Sequence, residues 1–110
     1  MNRTERIETE QARLSDIFKD LDSNKLSVVS PLINRAAFIT VSLEDLEEDL
    51  NENGWVEAYQ NGANQGGMKK SAAADVHISL TKNLNAITKQ LLEIVPQSQR
   101  ASKLDAMRNE

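Results

Sequence analysis

The side chains able to do chemistry in this 110-residue sequence fall into three groups. The stretch "LEDLEEDL" gathers Glu44, Asp45, Glu47, Glu48 and Asp49; His77 is the single histidine; and Lys69-Lys70 runs from a glycine-rich stretch into Ser71. Paired carboxylates could serve as acid and base or hold a cation. A cation site, however, needs oxygens converging from a second element. On a helix, Leu43, Leu46 and Leu50 claim the buried side and leave most of these acids to water. His77 has no second histidine and no cysteine with which to share a metal, and it falls on an apolar stripe. It therefore reads as a helix-packing residue before a catalytic base. No Ser-His-Asp set can be assembled. The lysine pair sits at the mouth of a helix beside glycines and a capping serine, a place where phosphate could bind. Its glycine spacing fits neither a P-loop nor a dinucleotide fingerprint. The chemistry present therefore predicts no enzyme and no cofactor.

The elements that position these groups are helical. Ile7, Leu14, Ile17, Phe18 and Leu21 recur at helical spacing and predict a first helix over about 4–21. Ser23 and Asn24 are capping candidates for a second, over about 25–53. Its seam is Val29, Leu32, Ala36, Ile39, Leu43, Leu46 and Leu50, with the small Ala36 and Ala37 allowing a close neighbour. Pro31 interrupts the donor pattern and predicts a kink in a continuous helix. Gly54 suits the end.

The segment "WVEAYQNGANQGGMKK" breaks the helical period. Trp55 to Tyr59 alternates, and Asn61-Gly62 is a two-residue hairpin signal. A hairpin-like connector over about 55–69 is expected, with Trp55 and Tyr59 sealing it against the helices, although these rings could also stack on bases. Ser71 then caps a helix over about 71–95, with Ala73, His77, Leu80, Leu84, Ile87, Leu91 and Ile94 on one stripe. Pro96 ends it, and 97–110 is expected as a flexible polar tail.

The fold class is thus all-α: one domain over 1–96, a long antiparallel helical hairpin preceded by a short helix. The two long stripes each cover about 30–37 Å at the helical rise and can pair. Leu32, Ala36, Ile39, Leu43, Leu80, Leu84, Ile87 and Leu91 are the expected packing and oligomerising positions, because so small a core leaves apolar surface to bury. No apolar run approaches the ~20 residues needed to cross a bilayer. The N-terminus has no signal-like stretch, so a cytoplasmic chain without a membrane partner is expected.

Charge is uneven. Residues 1–50 hold eleven acids and six bases, residues 51–110 six acids and seven bases. The whole is not a basic nucleic-acid binder; phosphate contact would need local patches, multiplied by an oligomer.

In that order, "PLINRAAFITVSLEDLEEDLNENG", "EAYQNGANQGGMKKS" and "ITKQLLEIVP" resemble the small terminase subunits of tailed phages and prophages of Gram-positive bacteria, in particular the short P27-like variety. The resemblance spans roughly residues 14–96. It implies a non-catalytic DNA-packaging factor in the host cytoplasm. Such a factor forms ring-like homo-oligomers, recognises double-stranded viral DNA, and loads and regulates the large ATPase-nuclease subunit. Residues 1–22 are too short for a helix-turn-helix. With charge and the resemblance as guides, the expected phosphate contacts are Arg3, Arg6, Arg13, Lys69, Lys70 and Lys82. The connector rests on Gly54, Trp55, Tyr59, Asn61, Gly62 and Ser71. The alternative is a coiled-coil adaptor or scaffold that does not itself bind DNA, its acidic face or tail docking the large subunit.

Overall fold

The computed structural model describes residues 1–60, 62 and 66–109. Helix α1 (Arg3–Ile17) opens where the Asn2 side chain accepts from the Glu5 amide. It stops four residues short of the expected end at Leu21. Phe18, 0% exposed, leaves helical geometry to enter the core, and the Leu21 amide folds back onto the Phe18 carbonyl. Asp22, and neither Ser23 nor Asn24, then caps α2 (Ser23–Asn53) by accepting from the Lys25 amide at 2.9 Å.

Helix α2 runs unbroken through Pro31. Val29 and Ile33, buried on either side of the proline, anchor both flanking turns and offset the missing donor. Gly54 ends the helix with φ +87° and ψ 162°, donating to the Leu50 carbonyl. That conformation is open almost only to glycine, and it is extended in ψ, not left-handed helical.

Strands β1 (Val56–Gln60) and β2 (Gly66–Lys70) form an antiparallel pair from Val56↔Lys70 to Gln60↔Gly66. This register leaves residues 61–65 between the strands, not a two-residue Asn61-Gly62 turn. Asn61 lies outside the described residues, and Gly62 has φ +89°. The sheet makes the fold mostly α instead of purely all-α.

Ser71 caps α3 (Ala72–Ile94), accepting from the Ala74 amide at 3.1 Å. Helices α2 and α3 lie antiparallel: Glu47 meets His77 near one end, and Val28 neighbours Ile94 at the other. Their seam, with Leu14 and Phe18 of α1, makes the core of Val29, Ile33, Ala36, Ile39, Leu43, Ile87, Leu91 and Val95. Leu32, Leu80 and Leu84 pack against it half-buried. Ile33, Ala37 and Val41 are buried outside the expected α2 seam, because α2 serves two neighbours; Val41 shares a groove with Arg6 and Thr9 of α1.

Residues 97–108 correct the expectation of a loose tail. A 3-10 turn (Gln97–Gln99) leads into α4 (Arg100–Arg108), and Met107 reaches the core. Arg13 donates to the carbonyls of Ala106, Met107 and Asn109, and the Lys103 ammonium donates to the Ile17 carbonyl at 2.6 Å. These bonds satisfy carbonyls at the ends of α4 and α1 that have no partner within their own helices.

By length and composition α2 is apolar enough to cross a membrane, which corrects the reading that no run approaches that length. Part of that apolarity is buried against α1 and α3, while Val28 and Phe38 remain exposed. The molecule extends 63 × 31 × 22 Å, a rod with the hairpin reached through Gly54 and Ser71 at the junction of α2 and α3.

Candidate functional site

The expected phosphate-binding residues do not gather into one patch. Arg3 and Arg6 of α1 both reach Asp45 of α2, at 2.6 and 2.7 Å. Arg6 also lies 3.6 Å from Glu44, and Arg3 donates to the Ser42 hydroxyl while covering the Phe38 ring at 5.1 Å. The hydrogen bond from Arg6 holds the Asp45 carboxyl below the usual carboxylate range, and the same bond raises the Arg6 guanidinium. These arginines thus clamp α1 onto α2. Arg13 is held by Glu10 and by the carbonyls of the last turn of α4.

On the hairpin, Lys69 pairs with Glu57 across the strands at 3.5 Å, and Lys70 with Asp75 in the first turn of α3 at 3.2 Å. Both pairs are exposed, and water competes with them. Lys82 is exposed on α3 and makes no ion pair among the described residues. Lys25, Arg35, Lys89 and Arg108 share that property.

The acidic cluster divides. Glu48 remains a solvated acid, Asp49 accepts from Asn53, and Asp45, Glu44 and Glu47 bind across helices. Among the described residues no three potential metal ligands converge.

His77 joins three segments. Its Nε2 lies 3.1 Å from a Glu47 oxygen, and its ring meets Trp55 edge-on, centroids 5.4 Å apart at 78°. Trp55 thus fastens the root of the hairpin to α3. Tyr59 does not: its ring lies over Gly67, its cross-strand partner, where an added Cβ would come within 3.2 Å of the ring. Among the described residues the hairpin is therefore stitched within itself and attached at its base.

Beyond that base, every residue of β1 and β2 is exposed. Val56, Ala58 and Met68 share one face, with Val56 51% and Met68 64% exposed. Val76 and Ile78 are further exposed apolar residues, on different sides of α3. Fold and site together define an elongated, mostly helical chain with an uncovered apolar β-hairpin and cations left free on its long helices. Comparison with known families, with curated proteins and with solved structures finds no match.

Proposed function

We propose that the chain is a non-catalytic small terminase subunit of a phage DNA-packaging motor. It acts in the host cytoplasm as a homo-oligomeric ring, recognises double-stranded viral DNA, and loads and regulates the large ATPase-nuclease subunit. The observation that carries this reading is the uncovered hairpin. An isolated two-stranded sheet is marginal in water and gains independent stability when packed or extended. Among the described residues this one keeps two free edges, and Val56, Ala58 and Met68 lie exposed on one face beside Lys70 and Gln60.

A second copy of the chain suits that surface. The outer edge of each strand can pair with a strand of a neighbouring copy through backbone hydrogen bonds. Head-to-tail contacts of this kind close into rings when the rotation permits. The resemblance of the connector and helix segments to small terminases supports the same assembly.

A second reading, an assembly adaptor that leaves DNA to other subunits, is favoured by a specific observation. Arg3, Arg6, Arg13, Lys69 and Lys70 are all engaged within the chain. Mobility shift of packaging-site duplex by the purified oligomer separates the two. The packaging reading expects a shift that weakens steeply with salt. No shift at low salt, with the large subunit still captured in a pull-down, leaves the adaptor.

A further inference from the structure

Three cations of α3 and α4 share one groove. Lys89, Arg100 and Arg108 line a shallow groove of about 410 Å³ between α3 and α4 together with the apolar Leu92 and Leu104, with Asn85 and Thr88 beside the charges. Arg100 is oriented there by the Val95 and Glu93 carbonyls, which accept from its guanidinium at 3.3 Å. Lys82 stands seven residues before Lys89, on the same side of α3. Between Asp75 and Glu93 the helix carries no carboxylate, and Glu93 is the one acid lining the groove among the described residues.

We infer that this α3–α4 groove is the surface that takes the sugar-phosphate backbone of a nucleic-acid duplex; the inference rests on the packaging reading above and names the residues that would perform it. Lys82 and Lys89 lie about 10 Å apart along the helix axis. Phosphates of one strand advance about 3.4 Å per step along the duplex, so the two ammonium groups reach phosphates about three steps apart. Arg108 and Arg100 add cations from α4. Asn85 and Thr88 place amide and hydroxyl donors beside the charges, the side-chain types that hydrogen-bond phosphate oxygens. None of these contacts reads a base edge, so the groove supplies affinity and orientation, not sequence choice.

The α1 arginines face the opposite outcome for a physical reason. Their charges are already neutralised by Asp45, Glu44 and Glu10, so phosphate would first have to displace a carboxylate. At Lys82, Lys89 and Arg108 nothing needs displacing. A single copy brings few cations and binds weakly. Copies arranged around a ring multiply them on one ligand.

The test measures affinity of the full chain for a packaging-site duplex against salt concentration. The proteins are wild type, Lys82→Gln/Lys89→Gln, Arg108→Gln, Glu93→Gln, and Lys25→Gln as a cation outside the groove. All five positions are on the surface, and matching circular dichroism melts establish that each variant is folded. The expected result is a fall in the slope of log affinity on log salt of about 0.9 for each lysine removed from each engaged copy. Arg108→Gln lowers the slope similarly, Glu93→Gln raises affinity, and Lys25→Gln changes neither. Wild-type binding that the double variant retains with an unchanged slope overturns the groove while the packaging reading stands. Absence of wild-type binding at low salt overturns both. Loss of polyglutamate binding by the double variant, with duplex affinity kept, assigns the groove to an acidic polypeptide instead.

Discussion

The helical body and the β-hairpin obey different rules although they are adjacent in sequence. In the body, every long element buries an apolar side, and polar ties close what remains: Asp22 and Ser71 cap helices, and Arg13 and Lys103 bind the ends of α4 and α1. In the hairpin, all ten strand residues are exposed, and the described bonds that hold it run between its own strands or tie its base to α3 through Trp55–His77 and Lys70–Asp75. Among the described residues the hairpin is the part left without a covering layer. The body supplies stability and the hairpin supplies a surface.

The largest expected effect attacks the body. Leu91 is 0% exposed at the centre of the core. Leu91→Ala should cost roughly 2–5 kcal/mol of unfolding free energy in urea denaturation followed at 222 nm. Met68→Ala, the same kind of truncation on the hairpin, should change the stability of the dissociated chain by no more than about 0.5 kcal/mol. Similar losses at both positions would break the distinction between the two regions.

Next comes the joint between them. Gly54 holds φ +87° and ψ 162°, with only the Val56 carbonyl near an added Cβ, at 3.9 Å. Gly54→Ala is therefore strained by backbone conformation and not by crowding, at about 1–3 kcal/mol. The sole tryptophan, Trp55, follows it directly, so its fluorescence should report a rearranged hairpin root while helical content stays near that of wild type. An unchanged spectrum and midpoint would show that the junction tolerates other geometries.

A smaller effect concerns the clamp of α1 on α2. Asp45 has a carboxyl pKa depressed in the folded chain, first by the Arg6 hydrogen bond. A depressed folded pKa means that the unfolded chain binds the proton more readily. The contribution is therefore complete above the ordinary carboxylate pKa and is lost as pH falls through the depressed folded value. Urea midpoints at neutral pH should be lower for Asp45→Asn than for wild type. The gap should close under strongly acidic conditions. A gap independent of pH would mean that Asp45 acts through packing alone.

Much of the body was legible because helix burial repeats with a period. The α2 and α3 stripes, the Gly54 stop and the Ser71 start follow from spacing and capping chemistry. Ile33, Ala37 and Val41 escaped because a single seam describes one neighbour, whereas α2 has two. Helix α4 escaped because its polar composition hides Leu104 and Met107 at a three-residue step. Its anchors, Arg13 and Lys103, act across more than 80 residues of sequence. The hairpin was visible in its alternation and its glycines, but its register was not, since Asn61-Gly62 mimics a tighter turn than the strand pairing allows.

The candidate site was least legible. Charge can be counted along a sequence, but whether a cation is free depends on which carboxylate the fold brings beside it. Arg3 and Arg6 looked as available as Lys82 until α2 brought Asp45 beside α1.

The central claim is that the hairpin is an assembly surface, and mass in solution tests it most directly. Multi-angle light scattering at micromolar concentration should give wild type a mass that is a multiple of the 12.3 kDa chain. Val56→Lys/Met68→Glu should return 12.3 kDa, with the helical circular dichroism of the body unchanged. A wild-type chain that elutes at 12.3 kDa, or an oligomer indifferent to those two substitutions, would contradict it.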